Sequence, residues 1–337
     1  TVPAAYVLML GALFQLATGW PLWVGVVVGT VLSTAYVVRG GFRAIVGTDI
    51  VHFVLMFLGF LILVPACVVE HGGWGFLRAQ LPAGHWSWDG GRGVQAILVW
   101  YFLALSTLVE PAFYLRCYAA RTESVARRGV AISIGFWLLF DFLTTTAGLY
   151  ARAVLPELAD PVTAYPALAA RTLPPLGQGL FVVGLFATVI STVDDYAFLS
   201  AVTVGRDLVQ RARARRTGRA LDEGGGAALP WIRWCLAATA LVAIGLALWS
   251  RSVVELWHHL GSVGTPTLLL PLALSHSRWR VSGRLATAAM LAAGGTSLAW
   301  LAAGRGGPFL GLEPIFPGLL VSAAVLAPGV ARAPRNP

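Results

Sequence analysis

The chain has 337 residues, of which 57% are hydrophobic and only 12% charged, with a mean hydropathy of +0.75. That balance excludes an ordinary soluble domain and places the chain in a lipid bilayer. Lysine is absent: all 24 Lys-or-Arg positions are arginine, against 15 acids, for a formal net charge of +9. Such a charge reads as a topology signal and as attraction to anionic lipid heads, and nucleic-acid binding is rejected.

Apolar runs of about the ~20 residues needed to span a bilayer lie at Val2–Gly19, Leu22–Val38, Ile50–Val69, Val94–Val109, Val130–Tyr150, Leu180–Val204, Trp231–Trp249, Val253–Leu274, Leu285–Ala303 and Phe309–Ala327. They predict an all-α integral membrane protein with about ten transmembrane helices in one domain, 1–337. The start, TVPAAYVLML, has neither an initiator Met nor the basic region of a signal peptide, so the domain is expected to be N-terminally incomplete.

Taken in order, Gly40 and Gly41 stand before the third run and suit a tight bend. Thr48 and Asp49 sit where that helix is expected to begin, and either can cap its free amides. An outer loop follows at His71–Arg92 (71–92), whose Gly and Trp content suits the boundary of lipid and water. The fourth run leads to Glu110-Pro111, where proline kinks or ends a helix, and Glu110 is placed to pair with Arg116. A second outer segment, Pro156–Gly179 (156–179), predicts a short lid helix ended by Pro174 and Pro175. The stretch Arg211–Pro230 (211–230) is charged, then glycine-rich, and predicts a flexible cytoplasmic linker. Glu255, His258 and His259 have a spacing that metal sites use, although a solvated outer mouth is the plainer reading. Cys67, Cys117 and Cys235 lie in different runs with no paired spacing and read as packing residues.

If the first run starts in the cytoplasm and the spans alternate, only Arg78, Arg92, Arg152, Arg171, Arg251 and Arg305 fall outside, leaving the other eighteen inside. The positive-inside rule favours that orientation, with both termini cytoplasmic.

The segment Phe186 to Asp207, FATVISTVDDYAFLSAVTVGRD, carries hydroxyls and two carboxylates inside a membrane-length run. Polar groups at that depth mark an ion or substrate path. Thr188, Ser191, Thr192 and Asp195 fall at helical offsets that share one face. Hydroxyls together with a main-chain carbonyl suit a small hard cation, which takes oxygen ligands. On the residues alone the plainer reading is that Ser191 and Thr192 bond back to the preceding turn or join two helices.

Four ordered stretches carry a family resemblance. VVRGGFRAIVGTDIVHFVLMFLGFLI at Val37–Ile62 and LPPLGQGLFVVGLFATVISTVDDYAFLSAVTVGRD at Leu173–Asp207 resemble segments of the sodium/solute symporter family, as do EPAFYLRCYAARTESVARRG at Glu110–Gly129 and GLEPIFPGLLVS at Gly311–Ser322. The resemblance implies a partial five-plus-five inverted-repeat transporter fold, with broken helices meeting at the midplane. It implies a secondary active transporter of the cell (inner) membrane, no enzyme, that couples Na+ entry to uptake of a small polar organic solute.

Position by position, the resemblance gives Ser191 and Thr192 as hydroxyl ligands of the coupling sodium and Thr188 as the residue offering its carbonyl. Asp49 matches an acid on the cation path, and Asp194 an acid often found after the Ser-Thr pair. Asp195 departs from the pattern, and a carboxylate there can alter cation choice, bind a proton or pair with an Arg. Trp100, Tyr101, Ser106 and Thr107 lie beside the implied second broken helix and are the candidate substrate contacts. Aromatics there also serve as core or lipid-facing bulk. By this alignment the chain begins at the third core helix, so the helix that would close the cation site is absent and about half of the oxygen shell would come from these residues. Two other readings are weighed: a non-transporting membrane scaffold or sensory domain of the same fold, and an intramembrane enzyme using Asp194 and Asp195. Adjacent helical positions point about 100° apart, which places that carboxylate pair poorly for one substrate atom.

Overall fold

The computed structural model describes residues 2–91, 93–218, 229–249, 253–277 and 279–332. The middle of the expected linker (219–228), Arg92, Arg251, Arg278 and Arg335, and the side chains of Ser106 and Glu255 lie outside the described residues.

Helices dominate, in the order α1 (Val2–Thr18), α2 (Leu22–His71), α3 (Trp74–Gln80), α4 (Gly93–Ala104), α5 (Pro111–Ala119), α6 (Glu123–Val154), α7 (Ala164–Thr172), α8 (Pro175–Val202), α9 (Arg211–Thr217), α10 (Leu229–Trp249), α11 (Val253–Ser275), α12 (Gly283–Ala303) and α13 (Ile315–Leu326). The only strands among the described residues are two residues long, Trp279–Arg280 paired antiparallel with Ala331–Arg332. Proline opens α5 and stands at the start of α8, where its missing amide costs nothing. Thr122 and Ser282 cap α6 and α12 by accepting from the amides of Val125 and Leu285.

Each of the expected apolar runs lies wholly or mostly in helix. Among the described residues, six stretches have both the length and the apolarity of a membrane span: Leu22–His71, Gly93–Ala119, Glu123–Val154, Pro175–Thr217, Pro230–Trp249 and Gly283–Ala303. The chain is thus a multi-pass all-α membrane protein. The last expected run starts late, at Ile315, because Leu310 (φ 52) and Gly311 (φ 74) turn the chain and Phe309 bridges Leu312 before Pro314.

Two of the expected runs merge in the 50-residue α2, which bends at Gly41 (φ 56, ψ −151), a conformation that suits glycine. The expected start of a helix at Thr48 and Asp49 is therefore corrected. The bend is taken up at Gly41, so both residues lie in helix interior, where the Thr48 hydroxyl donates to the carbonyls of Ala44 (3.1 Å) and Ile45 (3.0 Å) and caps nothing.

The segment expected as an outer loop holds α3 and a single 3-10 turn at Ala83–Trp86. Its Asp89, outside the spans, accepts from the Gly91 amide at 3.1 Å, and that hydrogen bond holds the carboxyl below the usual range. The lid segment contains α7, which ends at Thr172 before Pro174.

The described residues fall into two compact units, Thr1–His85 with Arg116–Val253, and Trp86–Leu115 with Val254–Pro337. In the first, α8 packs along α2. A Cβ on Gly184 would lie 2.7 Å from the Leu55 carbonyl oxygen, so only a bare backbone permits the approach. Phe181 meets Phe60 edge to face at 5.2 Å, and Val37, Ile45, Ala197, Ala201 and Leu236 form a core cluster. In the second unit, Val99, Leu103 and Ile315 are the core, and Ser297 and Trp300 donate to the carbonyls of Pro314 and Leu312, each at 3.0 Å.

Candidate cation site

The polar stripe of α8 forms as its spacing predicts. The hydroxyl of Thr188 donates to the Gly184 carbonyl at 2.9 Å. The Thr188 carbonyl, in turn, accepts from Ser191 Oγ and Thr192 Oγ1, each at 3.0 Å. This is the back-bonding pattern of membrane hydroxyls, and the same geometry gathers three oxygens at one point of the helix. All three residues are half-buried. A hydroxyl can rotate its proton away and turn lone pairs to a cation, so the set offers three neutral oxygen ligands to a hard ion.

The two carboxylates that follow diverge by the turn of the helix. Asp194 is fully buried and faces the first half of α2, where the buried Ser33 donates its hydroxyl to Asp194 Oδ1. The other oxygen, Oδ2, is buried without a hydrogen-bond partner. Asp195 points elsewhere and meets the guanidinium of Arg116, Nη2 to Oδ2, at 2.5 Å. The same Nη2 lies 2.9 Å from Asp49 Oδ2 on α2. One arginine thus sits between carboxylates from two helices, and both acids are largely covered, at 24% and 20% side-chain exposure. Asp49 Oδ1 has no hydrogen-bond partner. With different partners, Asp194 and Asp195 do not form a shared acid/base pair.

Of the readings open for Asp195, pairing with an arginine is the one realised. Arg116, which the sequence offers as a partner for Glu110, makes ion pairs with Asp49 and Asp195. Ser33 was missed, although the run GTVLSTAY around it carries Thr30, Ser33 and Thr34 in an otherwise apolar stretch. That hydroxyl density is the signal that would have found it.

In the other unit, α4 gives way to a 3-10 stretch at Leu105–Val109 and the chain turns extended at Glu110 (φ −75, ψ 112) before Pro111, the break expected there. Trp100 stacks on Trp257 at 5.7 Å and is 46% exposed, while Tyr101 is 69% exposed. The Thr107 carbonyl accepts from the Glu110 amide at 3.3 Å. His258 lies 3.8 Å from Glu313, and His259 Nε2 donates to the Gly306 carbonyl at 2.8 Å. No metal-holding group of His, Cys, Asp or Glu occurs among the described residues.

The profile of the sodium:solute symporter family matches residues 4–291. The chain belongs to the sodium:solute symporter family. It is 27% identical over 319 residues to the sodium/pantothenate symporter of Escherichia coli (strain K12), covering 92% of this chain and 64% of that protein. It is 25% identical over 328 residues to the high-affinity proline transporter PutP of Bacillus subtilis (strain 168), covering 93% and 66%. Against the sodium/proline symporter of Staphylococcus aureus the identity is 21% over 333 residues, covering 94% and 63%. The chain therefore spans just under two-thirds of the length of these symporters, and the relatives are transporters, not enzymes.

Proposed function

We propose that the full-length protein is a secondary active transporter that couples sodium entry to uptake of a small polar organic solute by alternating access. The observation that carries this is the convergence of the Thr188 carbonyl with the hydroxyls of Ser191 and Thr192 on α8, inside the family-matched region. These oxygens hold the sodium, and Asp49, Asp194 and Asp195 line its path inward. Pantothenate and proline, the solutes named for the relatives, both carry a carboxylate, so a small carboxylate-bearing solute is the first class to test. Trp100, Tyr101, Ser106 and Thr107 remain the proposed solute contacts. The arginine distribution supports a place in the cell (inner) membrane with both termini of this chain cytoplasmic.

The test is uptake of labelled pantothenate and of labelled proline by proteoliposomes holding the full-length protein, under an inward sodium or potassium gradient. Sodium is expected to stimulate uptake of at least one of them. Thr192→Ala removes one ligand of a charged ion, worth roughly 1.5–3 kcal/mol, and is expected to cut the sodium-stimulated rate by at least about tenfold at limiting sodium. Thr192→Ser keeps the hydroxyl and should retain most of the rate. Undiminished sodium-stimulated uptake in Thr192→Ala would sink the ligand assignment.

A further inference from the structure

The transmembrane helix that carries the cation site does not stop at the membrane. From Pro175 to Thr217 it runs 43 residues, through α8, a π-helical stretch at Thr203–Gln210 and α9. At 1.5 Å per residue that is about 65 Å, against roughly 40–45 Å for a bilayer with its headgroups. All of the excess is at the arginine end. Counting from Pro175, the first ~30 residues cross the bilayer, and Arg206, Arg211, Arg213, Arg215 and Arg216 then emerge at its far edge, each exposed.

Two observations fix the level and the charge of this extension. The guanidinium of Arg213 lies over the ring of Trp231 at 5.7 Å. Trp231 and Trp234, 38% and 75% exposed, open the next membrane helix, and exposed tryptophans at a helix end mark the headgroup level. Arg216 is three residues from Arg213, and so shares the face that Trp231 holds against the membrane edge. Arg211 is partly answered by Asp207 at 3.6 Å. No ion pair reaches Arg213, Arg215 or Arg216 among the described residues. Over the whole stretch 206–223 the sequence places six arginines against three carboxylates, Asp207, Asp222 and Glu223, so the segment stays net positive.

We infer that this extension is a binding site for the headgroups of anionic phospholipids, with Arg213, Arg215 and Arg216 taking the phosphates and Trp231 setting their depth. Arginine forks match phosphate oxygens, and basic clusters just outside a membrane helix gain affinity with every charge. The site sits on the same helix as Thr188, Ser191 and Thr192, yet it rests on the membrane location alone. Failure of sodium coupling would leave it standing.

The test uses the full-length protein in neutral detergent micelles, titrated with phosphatidylglycerol or phosphatidylcholine while its thermal unfolding midpoint is followed. Phosphatidylglycerol is expected to raise the midpoint and phosphatidylcholine to leave it unmoved. In the triple variant Arg213→Gln, Arg215→Gln, Arg216→Gln, the phosphatidylglycerol needed for half the effect should rise by roughly 100-fold. The triple lysine variant should recover most of the response, and Arg127→Gln with Arg128→Gln, on exposed α6 positions, should leave it intact. A lipid-free midpoint equal to that of the parent shows that the glutamine variant folds. If it does not fold, comparing the parent in low and high salt decides, since the response must weaken as salt screens it. The inference is overturned if the glutamine variant titrates like the parent, if phosphatidylcholine serves equally, or if inorganic phosphate alone reproduces the shift.

Discussion

Replacing Arg116 with glutamine is expected to destabilise the protein by roughly 1–3 kcal/mol, read as a lower thermal midpoint in detergent. Its Nη2 lies 2.9 Å from Asp49 Oδ2 and 2.5 Å from Asp195 Oδ2, so one cation balances two carboxylates carried by α2 and α8. Removing it leaves like charges facing each other in a poorly solvated place. Breaking a fully buried ion pair in this way costs about 3–5 kcal/mol. Here the arginine is 39% exposed, and solvent screening scales the figure down to the range given. The decisive comparison is the double variant. Asp195→Ser alone leaves Arg116 its Asp49 partner, and Arg116→Gln with Asp195→Ser should recover much of the lost stability, because it removes the repulsion along with its counter-charge. If Arg116→Gln leaves the midpoint unchanged, the triad holds nothing together.

The crossing of α8 on α2 should be intolerant of added volume. A Cβ added at Gly184 would meet the Leu55 carbonyl oxygen at 2.7 Å, and that atom belongs to helix backbone, which cannot swing aside as a side-chain tip can. Gly184→Ala is expected to cost about 1–3 kcal/mol as an overpacked contact. Gly184→Leu should abolish assembly, seen as loss of a monodisperse peak in size-exclusion chromatography. Gly179 on the same helix has open space around it, so Gly179→Ala should be neutral or slightly stabilising through helix propensity. Equal tolerance at both positions would contradict the close helix approach. The cation oxygens lie one to two turns past Gly184, so the same crossing sets where they stand against α2.

What was legible in the sequence was local. Apolar length alone found the long helices, and the offsets of Thr188, Ser191 and Thr192 placed three oxygens together because helical spacing needs no tertiary information. Gly41 and Glu110-Pro111 announced their breaks through backbone chemistry that is nearly independent of context. The start of the third run was misplaced because polar Thr48 and Asp49 look like a cap, while the bend had already been absorbed at Gly41. The partners of the acids were out of reach for a different reason. Arg116 meets Asp49 and Asp195 across 67 and 79 residues, and Ser33 meets Asp194 across 161. No periodicity encodes which helices adjoin. The proposed solute contacts rest on their nearness in sequence to a broken helix, and Trp100 and Tyr101 stand exposed on α4.

The central claim is that α8 holds sodium through Thr188, Ser191 and Thr192, and it can be tested before any solute is known. Binding of radioactive sodium to the purified full-length protein should be measured by scintillation proximity, with choline as the balancing cation, for the parent and for Thr192→Ala. Saturable binding in the parent that is lost, or weakened by at least about tenfold, in the variant is the predicted result. Equal saturable binding by both proteins would contradict the account and move the cation elsewhere.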